Sequence, residues 1–235
     1  MDAQGPAGSE DIARLRERIV ATGRRLGARG LISAGEGNIS ARLSDGTLLV
    51  TPSGRRKDEL GPMDLLTVTL EAGAAPGAGA IALDADGARP SSDIAIHRAI
   101  YAARPDVMAV VHAHLPAGMA LTLAGEVPDP AALPETALLL PSLPFIPFEA
   151  PGSAELAARV AAALVDGPGP LPGAVLLERH GAVAVGRDVD QAIDRLELVE
   201  VLCRTWRDAL LIRGAVAGPG AGAILRPPSM SRRDS

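Results

Sequence analysis

Cysteine, lysine and aromatic side chains are nearly missing from this chain of 235 residues. Cys203 is the only cysteine, which excludes an intramolecular disulfide framework and any zinc site built on several thiolates. Lys57 is the only lysine among 23 Lys and Arg side chains. It follows Arg55 and Arg56 in a polar stretch that reads as an exposed loop. Schiff-base chemistry needs a lysine desolvated enough to be neutral near pH 7, so that setting is a poor one. The aromatics are Tyr101, Phe145, Phe148 and Trp206. The core must therefore be aliphatic, and platforms for stacking nucleobases are lacking. A basic stripe is missing too, because the formal charge is −5; together these absences exclude a nucleic-acid groove. No apolar run approaches the roughly 18 residues of a membrane span. The opening MDAQGPAGSEDIARLRER has no charged-then-apolar signal pattern. The expectation is a soluble, cytoplasmic protein with neither a membrane nor a nucleic-acid partner. Histidine is scarce as well: His97, His112, His114 and His180 are the whole supply.

What is present alternates helical and strand periodicities. Ser9-Glu10-Asp11 reads as a helix start, with acids at the positive end of the dipole. Ile12, Leu15, Ile19 and Leu26 follow at helical spacing, and Gly30 suits a left-handed cap. Ile39, Ala41 and Leu43 alternate with polar residues, and Asp45-Gly46 turns the chain into Leu48–Val50 as a hairpin. Residues 66–71 predict a strand, and 71–80 a flexible small-residue loop. A helix follows Ser91-Ser92 and stops before Pro105. Residues 107–114 (VMAVVHAH) read as a buried strand, with a helix opening near Pro116. The Pro-rich stretch 127–152 is expected to hold only short extended pieces. A helix over 153–166, two strands over 174–186 joined at Arg179-His180-Gly181, and a long amphipathic helix from Asp188 to Ile212 complete the pattern. The length suits one α/β domain over 1–214, with a central mostly antiparallel or mixed β-sheet flanked by helices. Residues 215–235, rich in Gly, Pro and Ser, read as a flexible tail.

Several clusters carry chemistry. On a strand, residues i and i+2 share a face, so His112 and His114 project together from the end of an apolar strand. Alone, an H-x-H pair reads equally as two hydrogen-bonded histidines. Zinc takes three or four N, O or S ligands, and without cysteine partners the rest must be His or carboxylate. His180, before a glycine between two strands, is the best third candidate, though a plain turn histidine reads the same way. His97 reads as a half-buried helix histidine bonded to a backbone group. Asp93 reads first as a capping residue. Ser91 and Ser92 at a helix start, Gly37-Asn38, and Ser53-Gly54 are three candidate anion cradles. None of them matches a nucleotide-binding fingerprint.

Taken in order, GLISAGEGNISARL, LLVTPSGRRKDEL, RPSSDIAIHRAIYAARPDVMAVVHAH and LLERHGAVAVGRDVDQAIDRLELVE resemble the class II aldolase/adducin family over roughly residues 10–210. The resemblance implies a divalent metal, zinc or alternatively Mn2+ or Co2+, on His112, His114 and His180. It implies phosphate binding by Gly37, Asn38, Ser53, Gly54, Ser91 and Ser92. It assigns Asp93 as a metal ligand or proton carrier, where the family's aldolases carry Glu. It further implies a homotetramer with sites at subunit interfaces and a small phosphorylated sugar as substrate. Fuculose-type aldolases use a tyrosine from a neighbouring subunit, whereas Tyr101, the only tyrosine here, falls in a different block.

The leading expectation is a zinc-dependent aldolase that cleaves a ketose 1-phosphate through a metal-stabilised enediolate. The alternatives are a 4-epimerase, dehydratase or decarboxylase of the same family, or a non-catalytic adducin-like interaction domain. A metal hydrolase would be favoured if Asp106, Glu178 or Asp188 reached the metal in place of Asp93.

Overall fold

The computed structural model describes residues 7–70, 87–91, 93–166 and 170–217. The first helix, α1 (Ala7–Ala28), begins two residues before the expected Ser9 and is followed by Gly30, whose φ of 66° is the left-handed cap. Strands β1 (Asn38–Arg42) and β2 (Leu48–Val50) form the expected hairpin. Its turn is closed by Asp45 Oδ1, which accepts from the Thr47 N–H at 2.8 Å, and by Gly46 at φ 83°. β3 (Leu66–Val68) is shorter than the 66–71 stretch suggested. Then follow α2 (Ile94–Ala103), β4 (Ala109–Ala113) and α3 (Pro116–Leu123). The Pro-rich stretch departs from expectation, because it contains a helix, α4 (Pro134–Leu139), as well as the two-residue strand β5 (Phe145–Ile146). Proline at a first helical position costs nothing, since its missing N–H would be unpaired there anyway. Thr136, buried, ties the turn by donating to the Pro130 carbonyl. The chain ends with α5 (Ala154–Ala163), β6 (Ala174–Leu177), β7 (Gly181–Gly186) and α6 (Val189–Ala217). α6 runs past Ile212, where the spacing placed its end. The loop at 71–80 and residues 218–235 lie outside the described residues.

The strands make one seven-stranded sheet in the order β3-β2-β1-β4-β7-β6-β5. Every pairing is antiparallel except β5 with β6, which is parallel. This is the α/β domain with a mostly antiparallel, mixed sheet that the periodicity predicts. Helices cover both faces, so the central strands are buried on both sides and read as unbroken apolar runs. One face carries Ile39, Val111, Ala184 and Leu176 against α1, α3 and α6. The other carries Val110, Val183, Val185 and Val175 with Ile96, Ile100 and Val160 of α2 and α5. Each buried aliphatic side chain contributes about 1.5–3 kcal/mol; with few aromatics available, the core is assembled from many such contributions. Among the described residues, no helix is long and apolar enough to cross a membrane.

Two scarce residues are placed in unexpected or instructive ways. Lys57 is buried, not exposed as its polar neighbours suggested, with 1 % of its surface accessible. Its aliphatic stem lies beneath the loop, and its Nζ donates to the Gly35 and Arg55 carbonyls, both at 2.8 Å. Burial pushes the ammonium down to about 8, and the two carbonyls favour the charged form, so it stays protonated at neutral pH. A nitrogen engaged on two backbone carbonyls is a structural tie. Lys57→Met is expected to leave both carbonyls short of a donor and to cost about 1–3 kcal/mol, read as a lower urea midpoint with an unchanged m-value. Cys203 is fully buried on α6, and burial followed by the nearby Glu200 charge pushes its thiol up to about 12. Native protein at pH 8 is therefore expected to leave a thiol reagent unreacted, with one equivalent consumed after unfolding.

Candidate metal centre and anion cradle

The centre of the sheet ends in a notch between β1, β4 and β7. Asn38, at the start of β1, is the cross-strand partner of His112 on β4, and Val183 of β7 is the partner on the other side. Residues directly opposite across a ladder share a face, so Asn38 and His112 project together toward α2. Two glycines allow the strands to meet so closely. Gly37, at φ 69°, sits where a Cβ would lie 2.8 Å from the His112 carbonyl oxygen. Gly181, at φ 106°, sits where a Cβ would lie 2.1 Å from the Ala113 carbonyl oxygen and 2.7 Å from the His114 Cα. The turn into Gly181 also needs Arg179 at φ 57°, an uncommon conformation for a side-chain-bearing residue. Its N–H is secured by Thr122 Oγ1 at 3.0 Å, and its guanidinium lies 4.5 Å from the centre of the Phe148 ring.

These turns bring His112, His114 and His180 together. Their ring centroids are 4.9–5.1 Å apart, and one nitrogen of each lies within 4.8 Å of the others. His112 Nδ1 donates to the Ala182 carbonyl at 2.9 Å, which fixes its tautomer and leaves the Nε2 lone pair directed into the cluster. That Nε2 and His180 Nδ1 are buried without a hydrogen-bond partner among the described residues. Burial first, then the neighbouring imidazoles, holds His112 well below the usual histidine range. Burial also lowers His180, against the opposing pull of Asp93. Neutral imidazoles with unused buried lone pairs are the form that ligates a divalent ion, because an unpaired buried polar atom is otherwise costly. The donor set therefore fits such a metal.

Asp93 occupies the N-cap position of α2 but makes no side-chain cap hydrogen bond. Its Oδ2 instead accepts from Asn38 Nδ2 at 3.3 Å and lies 3.8 Å from His112 Nε2, while Oδ1 is buried and unpartnered among the described residues. The carboxylate thus faces the histidines rather than its own helix. The carboxylates that would have indicated a hydrolase are engaged elsewhere. Asp106 is bidentate to Arg104, Glu178 accepts from the Phe148 N–H, and Asp188 accepts from the Gln191 N–H in the first turn of α6.

The three candidate anion cradles converge beside this cluster. Asn38 Nδ2 donates to Ser91 Oγ at 3.2 Å. Pro52 bridges to Pro90, and the Ser53 N–H donates to the Arg89 carbonyl at 2.7 Å, which sets Ser53-Gly54 beside Ser91. Gly54, at φ 70°, approaches Gly35 so closely that a Cβ on Gly35 would stand 3.2 Å from its backbone. The N-terminal end of α2 opens onto this group, adding the positive end of a helix dipole. Ser92 lies outside the described residues. Arg55 and Arg56 remain in solvent, paired with Asp64 and with Asp58 and Glu59.

Three residues escaped the reading of the sequence. Lys57 holds the Gly35 and Arg55 carbonyls under the cradle. Glu36, fixed by the Ser33 N–H at 3.1 Å, puts Oε1 3.6 Å from His114 Nδ1. His97 is fully buried and bonds side chains, not the backbone group expected of it. The signal for His97 was available: Asp93, His97 and Tyr101 recur every fourth residue, a polar stripe beside the apolar Ile96 and Ile100.

Comparison with known proteins follows the same blocks. Residues 17–207 match the family described as Class II Aldolase and Adducin N-terminal domain. A 3-oxo-tetronate 4-phosphate decarboxylase of Cupriavidus necator is 38% identical over 203 residues, covering 83% of this chain and 84% of that protein. A methylthioribulose-1-phosphate dehydratase of Acidiphilium cryptum is 33% identical over 214 residues, covering 85% of this chain and 93% of that one. Among solved structures, the l-fuculose-1-phosphate aldolase of Thermus thermophilus superposes with a TM-score of 0.71 at 31% identity, covering 89% of this chain and 100% of that chain.

Proposed function

The chain belongs to the class II aldolase and adducin family, whose relatives named above are lyases, and from that premise we propose that it is a metal-dependent decarboxylase of a small phosphorylated 3-oxo sugar acid. The fuculose-type aldolase expected from the sequence gives way to this reading on two grounds. The first is that a decarboxylase and a dehydratase stand among its relatives at 38% and 33% identity. The second carries the choice: Tyr101, the only tyrosine, is 1 % exposed, with its hydroxyl on Ser40 Oγ at 2.9 Å. A second copy of the chain would bury the same phenol, so no subunit offers a tyrosine to an aldol leaving group. Decarboxylation releases CO2, which needs no such partner. The relatives also weigh against the adducin-like interaction domain.

In this reading His112, His114 and His180 hold a divalent ion, zinc in the first instance with Mn2+ or Co2+ as substitutes, and Asp93 completes the set as ligand or proton carrier. The bound ion supplies Lewis-acid stabilisation of the negative charge that develops on the substrate's carbonyl oxygen. Gly37, Asn38, Ser53, Gly54, Ser91 and Ser92 hold the phosphate, through backbone N–H groups, hydroxyls and the α2 N-terminus. That anchoring sets the carboxyl-bearing carbon against the histidine cluster. When CO2 departs, the electron pair of its C–C bond stays on the remaining fragment as an enediolate. Water supplies the proton that quenches it, relayed through Asp93, which begins and ends the cycle as a carboxylate. The homotetramer with sites at subunit interfaces belongs to the same reading. It is supported by exposed apolar side chains near the end of α6, Leu211 at 65 % and Ile212 at 64 %, and is checked by sedimentation velocity.

The test is metal analysis of purified protein, followed by assays for CO2 release from 3-oxo-tetronate 4-phosphate, water loss from methylthioribulose 1-phosphate and aldehyde release from fuculose 1-phosphate. We expect about one ion per chain and fastest turnover in the first assay. Fastest turnover in the second moves the assignment to dehydratase. A metal-free protein inactive in all three, even after reconstitution with zinc, sinks the proposal.

A further inference from the structure

Beneath the Asn38 and Asp93 side chains lies a buried polar chain that the proposed chemistry does not use directly. Asn38 and Ser40 lie on the face of β1 toward α2, with Arg42 beyond them on the Tyr101 carbonyl, and His97 and Tyr101 meet Asn38 and Ser40 there. All four are 5 % exposed or less. Tyr101 Oη lies 2.9 Å from Ser40 Oγ, Ser40 Oγ lies 2.6 Å from His97 Nδ1, and His97 Nε2 lies 2.5 Å from Asn38 Oδ1. Asn38 Nδ2 then reaches Asp93 Oδ2 at 3.3 Å and Ser91 Oγ at 3.2 Å.

The direction of each bond follows from what each atom can do. A carboxylate only accepts, so the amide nitrogen of Asn38 must face Asp93 and its oxygen must face His97. His97 therefore donates through Nε2–H. Burial pushes its imidazole down to about 3, so it is neutral and its Nδ1 is an acceptor. Ser40 donates to Nδ1, and Tyr101 donates to Ser40.

We propose that His97 is a positioning residue: its Nε2–H locks the Asn38 amide with the NH2 toward Asp93 and Ser91. Without that lock the amide is free to turn and set its carbonyl oxygen against the carboxylate, which repels the carboxylate and removes a donor from the anion cradle. The inference rests on the roles proposed above for Asn38 and Asp93. It concerns a residue that touches neither the histidine cluster nor the expected substrate.

Two substitutions and one spectrum test it. In His97→Leu the donor is gone, and kcat is expected to fall about 10- to 100-fold with KM raised, as small misplacements of reacting groups do. Metal content should stay at the wild-type level, because His112, His114 and His180 are untouched. A glutamine amide reaches close to the position of ring Nε2, so His97→Gln is expected to recover kcat to within roughly threefold of wild type. The ring 15N shifts of His97 in wild-type protein, assigned by their loss in His97→Gln, should report a protonated Nε2 and an unprotonated Nδ1. That measurement decides the case even if His97→Leu fails to fold. The inference is overturned by an Nδ1–H tautomer, by wild-type kcat and KM in His97→Leu, or by a His97→Gln enzyme no better than His97→Leu. Wild-type protein that binds metal yet turns over none of the three substrates would instead count against the proposed function, and the tautomer would still judge the lock.

Discussion

His114→Ala is expected to empty the three-histidine centre and to abolish turnover. The three imidazoles lie within 4.8 Å of one another and provide the nitrogen donors of the proposed site. Removing one leaves His112, His180 and the Asp93 carboxylate, which Asn38 already engages, a set one donor short of the proposed site and much weaker in affinity. We expect metal content to fall from about one ion per chain to near zero, and kcat/KM to fall by about three orders of magnitude or more, the loss of Lewis-acid stabilisation. His114 is the informative position among the three. Its side chain is 23 % exposed, whereas His112 is fully buried and hydrogen-bonded within the sheet. Truncating His114 should therefore leave the circular dichroism and unfolding midpoint of metal-free protein near those of the metal-free parent. Elemental analysis and turnover measured on the same preparation check the prediction. If both ion and activity survive, the metal assignment is wrong.

The second large effect lies in the backbone. In Gly181→Ala the new Cβ would fall 2.1 Å from the Ala113 carbonyl oxygen and 2.7 Å from the His114 Cα, at a φ of 106° that side-chain-bearing residues rarely adopt. None of these neighbours is a flexible side-chain tip, so β7 must move away from β4. Backbone strain and overpacking each cost about 1–3 kcal/mol. Together they predict a fall in Tm on the order of 10 °C for a domain of this size. The shift also separates His180 from His112 and His114, so metal affinity should fall with stability. Calorimetry and zinc titration check the two consequences separately. A Gly181→Ala protein with wild-type Tm and affinity would mean that the strands do not meet as closely as described.

Both predictions depend on one feature, the β4 strand end held between two glycine-led neighbours. Its histidines were legible as a candidate pair because period-two alternation needs only the strand to exist. His180 was legible as a third candidate because Arg179-His180-Gly181 interrupts two apolar runs. The convergence of Gly37-Asn38, Ser53-Gly54 and Ser91 was not legible from spacing. It depends on the Pro52–Pro90 bridge and the Asn38–His112 register, pairings between segments far apart in the chain. Lys57 was misread for a related reason. Its sequence neighbours are solvated arginines, and only the packing of α1 and the Gly35 carbonyl makes its position an interior one.

The sequence by itself determined which chemistries were open. One cysteine, one lysine and four histidines left a histidine-based metal as the main route to stabilising an enediolate, and the alternating periodicities specified an α/β domain. Those conclusions need only residue identity and local geometry. The tertiary structure supplied the burial of Tyr101 on which the proposed alternative rests, and it showed which side chains meet around the histidine cluster. The burial of Tyr101, the turn of Asp93 away from its own helix, and the chain from Tyr101 through His97 to Asn38 are all contacts between β1 and α2. β1 and α2 are far apart in the chain, with β2 and β3 between them, and nothing local fixes which of their polar residues finally face one another.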